Sequence, residues 1–348
     1  MPQTAIQHLS FDACYIRAKK DLYIGEKTLD FSPDSEVLVK ITRGGICGSD
    51  VHYYQHGGIG DISLKHPMVL GHEVIGTTVP AGSAAAVNVA VNPSRPCNGC
   101  VYCLSNRSNQ CMDMLFFGSA MRTPHVDGGF AQYVAVRPDQ CIPYAPEIAE
   151  EIMAFTEPLA VALHALNKAG GVLGKKVLVT GAGPIGLLVT AACRAAGAME
   201  IIVTDLVDKN RRLALVMGAD STRDPMEDNL APFTEKKGYF DVSFEASGAI
   251  PAIQSNINFV QSGGTMVQIG MGPGMVDIPL TTFLAKEIRF TGAFRFNEEF
   301  TTAVRWLEKG LIDPRPLLTE VYDYNDIEEA INLAADKSRA LKVQLSFT

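Results

Sequence analysis

The feature that most restricts how this chain can fold is a glycine-rich turn between a short apolar run and a helical segment. Residues 177–180 lead directly into the sequence GAGPIG, whose glycines are Gly181, Gly183 and Gly186, and the apolar segment LLVTAACRAAG follows. The first glycine permits a tight turn, the second lets the backbone approach a pyrophosphate, and the third allows the helix to pack closely on the strand. The sequence therefore predicts a βαβ unit that binds a dinucleotide, unless the glycines merely form a turn.

An acidic residue follows this turn at the distance that a dinucleotide site requires. Asp205 ends the next apolar run, EIIVTD, nineteen residues after Gly186. A carboxylate there can accept hydrogen bonds from the adenosine ribose, unless it only caps the strand. This favours NAD over NADP, because a 2′-phosphate would meet a like charge. Lys209, Arg211 and Arg212 lie close enough in sequence to soften that repulsion, so NADP stays an alternative.

The pattern of apolar residues divides the chain into two parts. Up to about residue 155, short strand-like runs such as 37–42 and Tyr133–Val136 are separated by Gly, Pro and Asn turns, which is typical of a β-rich domain. From residue 177, strands and helices alternate, which predicts a parallel sheet with crossover helices and an α/β fold class. Further strands are predicted at 241–245, 265–269, 288–293 and 340–347, and helices at 298–309 and Ile327–Ala335.

Four cysteines lie within a short segment of the first part. Cys97, Cys100, Cys103 and Cys111 are separated by two, two and seven residues. Zn²⁺ binds four thiolates tetrahedrally, and two CxxC steps place three sulfurs on one loop while the fourth closes the site. The alternatives are disulfides or small buried residues. A closed four-thiolate site of this kind holds a loop in shape and indicates no reaction by itself.

A second, dispersed set of metal-ligand residues lies in the same part of the chain. It consists of Cys47 in GGICGSD, His72 and Glu73 in LGHE, and Glu157 in TEPLA. Each residue alone is consistent with an ordinary structural role. Together, a thiolate, an imidazole and a carboxylate can bind Zn²⁺ through three protein ligands and leave the fourth position for water or a substrate oxygen, which is the arrangement of a catalytic site.

Composition limits the partners of this chain. Hydrophobic residues make up 47% of its 348 residues and charged residues 20%, and the formal net charge is −8. An acidic balance disfavours a nucleic-acid or anionic-membrane surface, so a small molecule is the expected partner. The sequence has no run of 18 apolar residues and no signal-like leader. We therefore expect a cytoplasmic protein, in which the eight cysteines serve as ligands or buried residues.

These motifs, in this order, resemble the zinc-dependent medium-chain dehydrogenases over nearly the whole chain. The segments CGSDVHYY, FFG, DGGFAQY and AFRF are most similar to the polyol dehydrogenase branch, which includes the sorbitol dehydrogenases. The resemblance implies a GroES-like β-rich catalytic domain over 1–155 and 296–348, with a structural zinc lobe at 97–111. It also implies a Rossmann NAD-binding domain with a doubly wound parallel sheet over 156–295.

The resemblance also assigns roles at the open metal site. Cys47, His72 and Glu157 match the ligands of a catalytic zinc, the second zinc of the subunit beside the structural one. Glu73 matches a neighbouring acid, and either glutamate can bind the metal directly, through water or in exchange with another ligand. Ser49 matches the hydroxyl that begins a proton relay, with His52 as the next member. Structural roles for these two residues stay open.

Cofactor and substrate contacts follow from the same resemblance. Tyr53, Phe117 and Arg295 match positions that contact substrate, although Arg295 can instead contact the cofactor. The substrate is then an aldonate or polyol, and a carboxylate would need a cationic partner. The candidates for that partner are Arg295, Arg122, His125, His56 and Lys65. The predicted cofactor contacts are Gly181, Gly183, Ile185, Gly186, Asp205, Asn210, Ile269 and Phe294.

Two departures and two alternatives accompany the resemblance. Phe296 replaces a tyrosine usual in sorbitol dehydrogenases, and AGSAAAVNVAVNPSRPC replaces a GDRV-type box, so we expect the strand at 88–92 to remain and its turn to be rebuilt. A homodimer or homotetramer is implied, with 288–293 as a natural sheet edge. The alternatives are a sorbitol, galactitol or threonine type of dehydrogenase, and an NAD-binding protein that senses or scaffolds without turnover.

Overall fold

The computed structural model describes residues 6–80, 85–272 and 274–348. The chain divides into two compact units. The first contains Met1–Glu157, Phe300–Gly310 and Leu318–Thr348, and the second contains Pro158–Glu299 and Leu311–Leu317. The sequence assigned all of 296–348 to the first domain, whereas the structure places 296–299 and Leu311–Leu317 with the second unit. No helix of the described residues has the length and hydropathy needed to cross a membrane.

The first part of the chain is built mainly of strands. In chain order its elements are β1 (Gln7–Ala18), β2 (Asp21–Phe31), β3 (Val37–Gly45), α1 (Gly48–His56), β4 (Gly58–Ile59), β5 (Ile62–Ser63), β6 (Met68–Val69), β7 (Glu73–Thr78), β8 (Asn88–Val91), β9 (Ser94–Arg95), β10 (Leu115–Phe116), β11 (Tyr133–Val136), β12 (Cys141–Pro143) and α2 (Glu150–Met153). Short 3₁₀ helices cover Cys103–Ser105, Ser108–Gln110 and Pro138–Gln140.

Strands and helices alternate in the remainder. The elements are α3 (Thr156–Lys168), β13 (Lys176–Thr180), α4 (Pro184–Ala195), β14 (Glu200–Thr204), α5 (Asp208–Val216), β15 (Ser221–Arg223), β16 (Phe240–Glu245), α6 (Ile250–Phe259), β17 (Val260–Gln268), α7 (Leu280–Ala285), β18 (Arg289–Gly292), α8 (Glu299–Glu308), β19 (Leu318–Asp323), α9 (Ile327–Ala335) and β20 (Lys342–Ser346). Short 3₁₀ helices cover Ala231–Lys237, Arg315–Leu317 and Tyr324–Asp326.

The first unit is organised around a seven-stranded sheet in the order β12-β8-β7-β3-β20-β19, with β11 also paired to β3. Strand β3 is central because it pairs with β7, β11 and β20. Its buried Val39 and Ile41 contribute to an apolar core that also receives Ile331 from α9. The carboxyl end of β3 leads directly to Cys47 and α1, so this core positions the predicted zinc ligand.

The second unit contains a six-stranded parallel sheet in the order β15-β14-β13-β16-β17-β18. Val177, Leu178 and Val179 of β13 are completely buried, as expected for a strand covered on both faces. Successive strands are added on one side of β13 as far as β15 and on its other side from β16 onward, so the strand order reverses between β13 and β16. Ligands of doubly wound sheets bind outside the carboxyl ends of the strands at such a point. The predicted α/β class and doubly wound sheet are confirmed.

Most predicted elements have structural counterparts with shifted ends. The strand predicted at 265–269 is the end of β17, which begins earlier, at Val260, and the strand predicted at 288–293 is β18, an edge of the sheet. The strand predicted at 88–92 corresponds to β8. Part of the turn predicted to replace the GDRV-type box falls at 81–84, outside the described residues.

Candidate active site and metal centres

The four cysteines of the short segment come together in space. The sulfurs of Cys97, Cys100, Cys103 and Cys111 all lie within 4.8 Å of one another. Three of the pairs are separated by 3.6–4.0 Å. A tetrahedral zinc with Zn–S bonds of about 2.3 Å requires sulfurs about 3.8 Å apart. All four cysteines are free, so the disulfide alternative does not hold.

The local backbone favours thiolates in this lobe. Backbone N–H groups, that of Cys103 first, lower the pKa of the Cys100 thiol to about 6, and the N–H of Gly99 acts in the same direction on Cys97. Burial raises the pKa of Cys103 to about 12, so a cation is needed to hold this sulfur as a thiolate. The donor set and its spacing therefore fit a closed, structural zinc site.

A second group of ligand side chains forms at the end of β3. The ligand atoms of Cys47, His72 and Glu73 all lie within 4.8 Å of one another. Cys47 lies between β3 and α1, and Glu73 is the first residue of β7. Because β3 and β7 are antiparallel neighbours with Gly45 opposite Glu73, the two segments that carry these ligands meet at one end of the sheet.

Asp50 connects these two ligand-bearing segments and was not among the predicted site residues. Its side chain is completely buried, with Oδ2 accepting a hydrogen bond from the Cys47 N–H at 2.9 Å and Oδ1 accepting one from the Gly71 N–H at 3.2 Å. One carboxyl group thereby fixes Cys47 and the residue before His72. An acidic residue three positions after a helix N-cap is a capping-box pattern, which could have identified it.

Lys342 holds the Glu73 carboxylate and was also missed. Its Nζ donates to both Glu73 carboxylate oxygens at 2.7 Å and to the Ile46 carbonyl at 3.1 Å. The carboxylate fills space that only glycine leaves at position 45, because a Cβ on Gly45 would lie 2.1 Å from Glu73 Oε2. Residues 73 and 342 meet through the order of strands in the sheet, and no sequence spacing relates them.

Glu157, the carboxylate predicted to bind the catalytic zinc, lies outside the group of three but acts on the same site. It is buried in the first turn of α3. Burial raises the pKa of Glu157 to about 8. The charge of His72 lowers this pKa, whereas the charges of Glu73 and Cys47 raise it further. Burial, and after it the negative charge of Glu73, raises the pKa of the Cys47 thiol to about 11. In the structure, Glu73 is therefore the carboxylate that groups with Cys47 and His72. Which of the two glutamates binds the catalytic zinc stays a prediction.

The chemistry of this buried donor set fits zinc. The site contains three acidic groups, those of Cys47, Glu73 and Glu157, and Lys342 supplies one positive charge. Burial of ionised acids is unfavourable unless cations compensate them. A divalent ion would do this, and thiolate, imidazole and carboxylate are zinc donors that can leave one position open for catalysis.

The predicted relay and substrate residues lie on α1 and nearby loops. Ser49 is half-buried and His52 is exposed, one helical turn along the same helix. Desolvation and the adjacent His56 and Lys337 charges lower the pKa of His52. Tyr53 is buried, and its hydroxyl accepts a hydrogen bond from the Ala120 N–H at 3.0 Å. Phe117 is half-buried.

The glycine turn has the geometry expected of a dinucleotide site. It connects β13 to α4, and Gly183 is the N-cap of α4, with Ile185 half-buried in the first helical turn. A Cβ on Gly186 would lie 1.8 Å from the Gly181 carbonyl oxygen, so only glycine fits there. The N-terminus of α4 therefore presents free backbone N–H groups and a positive dipole end, which bind phosphate.

Asp205 lies beside this turn. Its Oδ2 accepts a hydrogen bond from the Ala182 N–H at 2.7 Å, and its Oδ1 accepts one from the Val207 N–H at 2.8 Å. Asn210 is buried in the first turn of α5, with its N–H donating to the Val207 carbonyl at 3.0 Å. The carboxylate predicted to bind the ribose is therefore held in a fixed position next to the phosphate-binding backbone.

Glu245 joins the loop after β16 to the end of β17 and was not among the predicted site residues. This completely buried carboxylate accepts hydrogen bonds from the N–H and hydroxyl of Ser247, from the Gly248 N–H at 3.0 Å and from the Gln268 side chain at 2.5 Å. Its backbone carbonyl accepts from the N–H of Ile269, a predicted cofactor contact, at 2.8 Å.

Arg295 and Phe294 lie in the segment before α8. The Arg295 guanidinium lies 4.9 Å from the centroid of the exposed Phe294 ring, and its backbone has a left-handed φ of 55°. Glu299 anchors this segment to α3. Its Oε1 accepts hydrogen bonds from His164 at 3.0 Å and Asn167 at 2.8 Å, and its Oε2 accepts one from the Asn297 N–H at 2.7 Å.

Comparison with known proteins agrees with this geometry. The family model described as alcohol dehydrogenase GroES-like domain matches residues 33–147, and the one described as zinc-binding dehydrogenase matches residues 184–309. The L-idonate 5-dehydrogenase (NAD(P)(+)) of Escherichia coli strain K12 is 48% identical over 338 residues, which are 96% of this chain and 98% of that enzyme. This chain belongs to the zinc-binding dehydrogenases. The predicted GroES-like and Rossmann architecture, zinc and NAD(P) cofactors are confirmed at this level.

Structural similarity extends over the same length. The crystal structure of L-idonate 5-dehydrogenase from Escherichia coli superposes with a TM-score of 0.96 at 47% identity and covers 98% of this chain and 99% of that one. The D-xylulose reductase A of Aspergillus niger is 36% identical over 308 residues, 85% of each chain. The predicted resemblance to the polyol dehydrogenase branch is confirmed.

Proposed function

We propose that this chain is an L-idonate 5-dehydrogenase, which interconverts L-idonate and 5-keto-D-gluconate by hydride transfer with NAD(P). The observation that carries the proposal is the 48% identity to the Escherichia coli enzyme over 96% of the chain. The buried group of Cys47, His72 and Glu73 supports it, since a protein that only senses a nucleotide needs no open metal site. The alternative of a non-catalytic NAD-binding protein is therefore disfavoured.

The chain's own residues would divide the chemistry as follows. Zinc would be held by Cys47 and His72, together with Glu73 or Glu157. Asp50 fixes Cys47, and Lys342 fixes Glu73. When bound, zinc supplies Lewis acidity that lowers the pKa of the substrate hydroxyl toward neutrality. The Ser49 hydroxyl would accept the substrate proton as it donates its own toward His52, and His52, which is exposed, would release a proton to solvent.

Arg295 is the residue that we propose for the substrate carboxylate. Two other candidates are engaged elsewhere. Arg122 pairs with Asp113 at 2.5 Å. His125 Nε2 accepts from the Lys65 N–H at 2.9 Å, while its Nδ1 lies 2.8 Å from the Arg122 carbonyl. A guanidinium can bind a carboxylate through two parallel hydrogen bonds, which suits an aldonate better than a polyol.

NADH oxidation with competing ketones tests this assignment. We expect kcat/KM for 5-keto-D-gluconate to exceed that for fructose, D-xylulose and 2-amino-3-ketobutyrate. Arg295→Lys keeps the charge but loses the planar fork, so it should raise KM for 5-keto-D-gluconate more than it raises KM for fructose. Faster turnover of fructose or xylulose by the unaltered protein would overturn the idonate assignment and leave the polyol dehydrogenase class.

The second candidate is a polyol dehydrogenase of the sorbitol, galactitol or xylitol type. The observation that favours it is the 36% identity to D-xylulose reductase A. Phe296 argues against it, because the tyrosine hydroxyl usual in sorbitol dehydrogenases is missing at this buried position. We also propose a cytoplasmic homodimer or homotetramer that pairs through the β18 edge, which sedimentation analysis would test.

A further inference from the structure

Arg211 lies at the adenosine end of the predicted cofactor site and is held there by acidic partners. Its Nη1 donates to the Asp205 carbonyl at 2.7 Å and to Asp224 Oδ2 at 2.8 Å, and its Nη2 lies 3.7 Å from Asp208 Oδ1. The Arg211 and Asp224 side chains are only 15% and 13% exposed. This guanidinium is therefore part of a partly buried ion pair and is not a mobile surface cation.

Strand order explains why Asp224 reaches Arg211. Strands β14 and β15 are parallel neighbours, and Asp205 and Asp224 are the first residues after them. The two aspartates therefore lie at the same edge of the sheet, and α5 brings Arg211 between them. Asp224 is itself fixed, because its Oδ1 accepts a hydrogen bond from the Met226 N–H at 2.9 Å.

The position of Arg211 bears on the choice between NAD and NADP. In dinucleotide sites of this fold, the acidic residue after the second strand binds the ribose 2′-hydroxyl, and a nearby arginine accommodates a 2′-phosphate. Arg211 contacts the backbone of that acidic residue, Asp205. While the Asp224 carboxylate neutralises Arg211, a 2′-phosphate would meet the Asp205 carboxylate without a compensating positive charge from Arg211.

We propose that Asp224 determines cofactor specificity by holding Arg211, so that the chain prefers NAD(H) and NADP(H) binding requires release of this ion pair. The proposal rests on the nicotinamide cofactor of the proposed function. It assigns the preference to two residues, the repelling Asp205 and the restraining Asp224. Removing the restraint should therefore improve NADPH binding while Asp205 stays intact.

Dissociation constants for NADH and NADPH, measured by calorimetry without substrate, test the proposal. Asp224→Asn should lower the ratio Kd(NADPH)/Kd(NADH) by about tenfold, the effect of one added charge-assisted hydrogen bond. The double variant D224N/R211M should return the ratio to that of the unaltered protein or above. Asp224→Ser serves as a second release variant if the asparagine protein does not fold, and the same change is expected.

Asp228→Asn is the matched control. Asp228 lies in the same loop and accepts a hydrogen bond from the Asp224 N–H at 2.6 Å, which the amide oxygen of asparagine can also accept. It carries the same charge as Asp224 and has no hydrogen bond to Arg211 among those described for that residue. The ratio Kd(NADPH)/Kd(NADH) of Asp228→Asn should stay within about threefold of that of the unaltered protein, because the loss of this charge acts on the 2′-phosphate only through screened long-range electrostatics.

Three results would overturn the proposal. The first is a ratio Kd(NADPH)/Kd(NADH) that is unchanged in D224N and D224S. The second is a fall of this ratio in D228N as large as that in D224N. The third is a fall that persists in D224N/R211M. Failure of the unaltered protein to bind either NADH or NADPH would instead refute the cofactor assignment on which the proposal rests.

Discussion

Glu299→Gln removes a buried carboxylate that connects the 297–299 segment to α3. Hydrogen bonds from His164, Asn167 and Asn297 outweigh burial and lower the pKa of Glu299 from 4.5 to about 2. This shift corresponds to a stabilisation on the order of 3 kcal/mol, at about 1.4 kcal/mol per pKa unit. The side chain is only 9% exposed, so solvent screening does not reduce this figure greatly.

The sign of the pH dependence follows from the lowered pKa. A carboxyl group with a depressed folded-state pKa contributes its full stability above the unfolded pKa of 4.5, and that contribution is lost as the pH falls toward 2. Because the neutral amide of glutamine stands in for the protonated carboxyl group, linkage gives a difference in unfolding free energy between the unaltered protein and Glu299→Gln of about 3 kcal/mol at pH 7 and about 2 kcal/mol at pH 3.5.

Guanidinium unfolding of both proteins at the two pH values measures this difference. Glu298→Gln, which removes the exposed neighbouring acid, should change stability by less than about 0.5 kcal/mol at either pH. A difference that is equal at pH 7 and pH 3.5, or below about 1 kcal/mol at pH 7, would refute the conclusion that the charge of Glu299 stabilises this unit.

Three further predictions concern the metal sites. Cys103→Ala should lower bound zinc from two ions to one per chain and lower Tm, as metal analysis and calorimetry would show, and unchanged zinc and Tm would contradict the closed cluster. Cys47→Ser should reduce kcat by more than about 100-fold with an unchanged circular dichroism spectrum; activity that survived with zinc bound would exclude Cys47 as a ligand. Lys342→Met leaves the buried Glu73 without its cation, and should lower the unfolding free energy of the zinc-free protein by about 3–5 kcal/mol. The exposed Lys309→Met is its control, and a loss equal to that of the control would count against the pair.

Local patterns in the sequence were sufficient for the features that depend on neighbouring residues. The turn from β13 into α4 and the closed cysteine cluster each depend on residues close together in the chain, so spacing alone predicted them. The doubly wound sheet followed from alternating strands and helices. Strand ends were less predictable, as in β17, because hydrogen-bonded neighbours rather than local propensity decide where a strand begins.

The residues that support the site were not predictable in this way. Lys342 meets Glu73 because β20 and β7 both flank β3. Glu299 meets His164 because the chain after β18 returns to α3 within the second unit. Such pairs depend on the order of elements in space and carry no signal in sequence spacing. Glu245 shows the same limit for one of its four donors: three belong to Ser247 and Gly248 directly after β16, whereas the fourth is the side chain of Gln268 at the end of β17.

The hydrogen bonds of Asp50 have a consequence for how the metal centre assembles. One carboxyl group joins Cys47 to the residue before His72, so these two donors are held together by the folded protein itself. The conformational entropy of bringing them together is lost during folding and not during metal binding. A preorganised centre of this kind should exchange Zn²⁺ for Co²⁺ without unfolding, whereas the closed cysteine lobe depends on its metal for its shape.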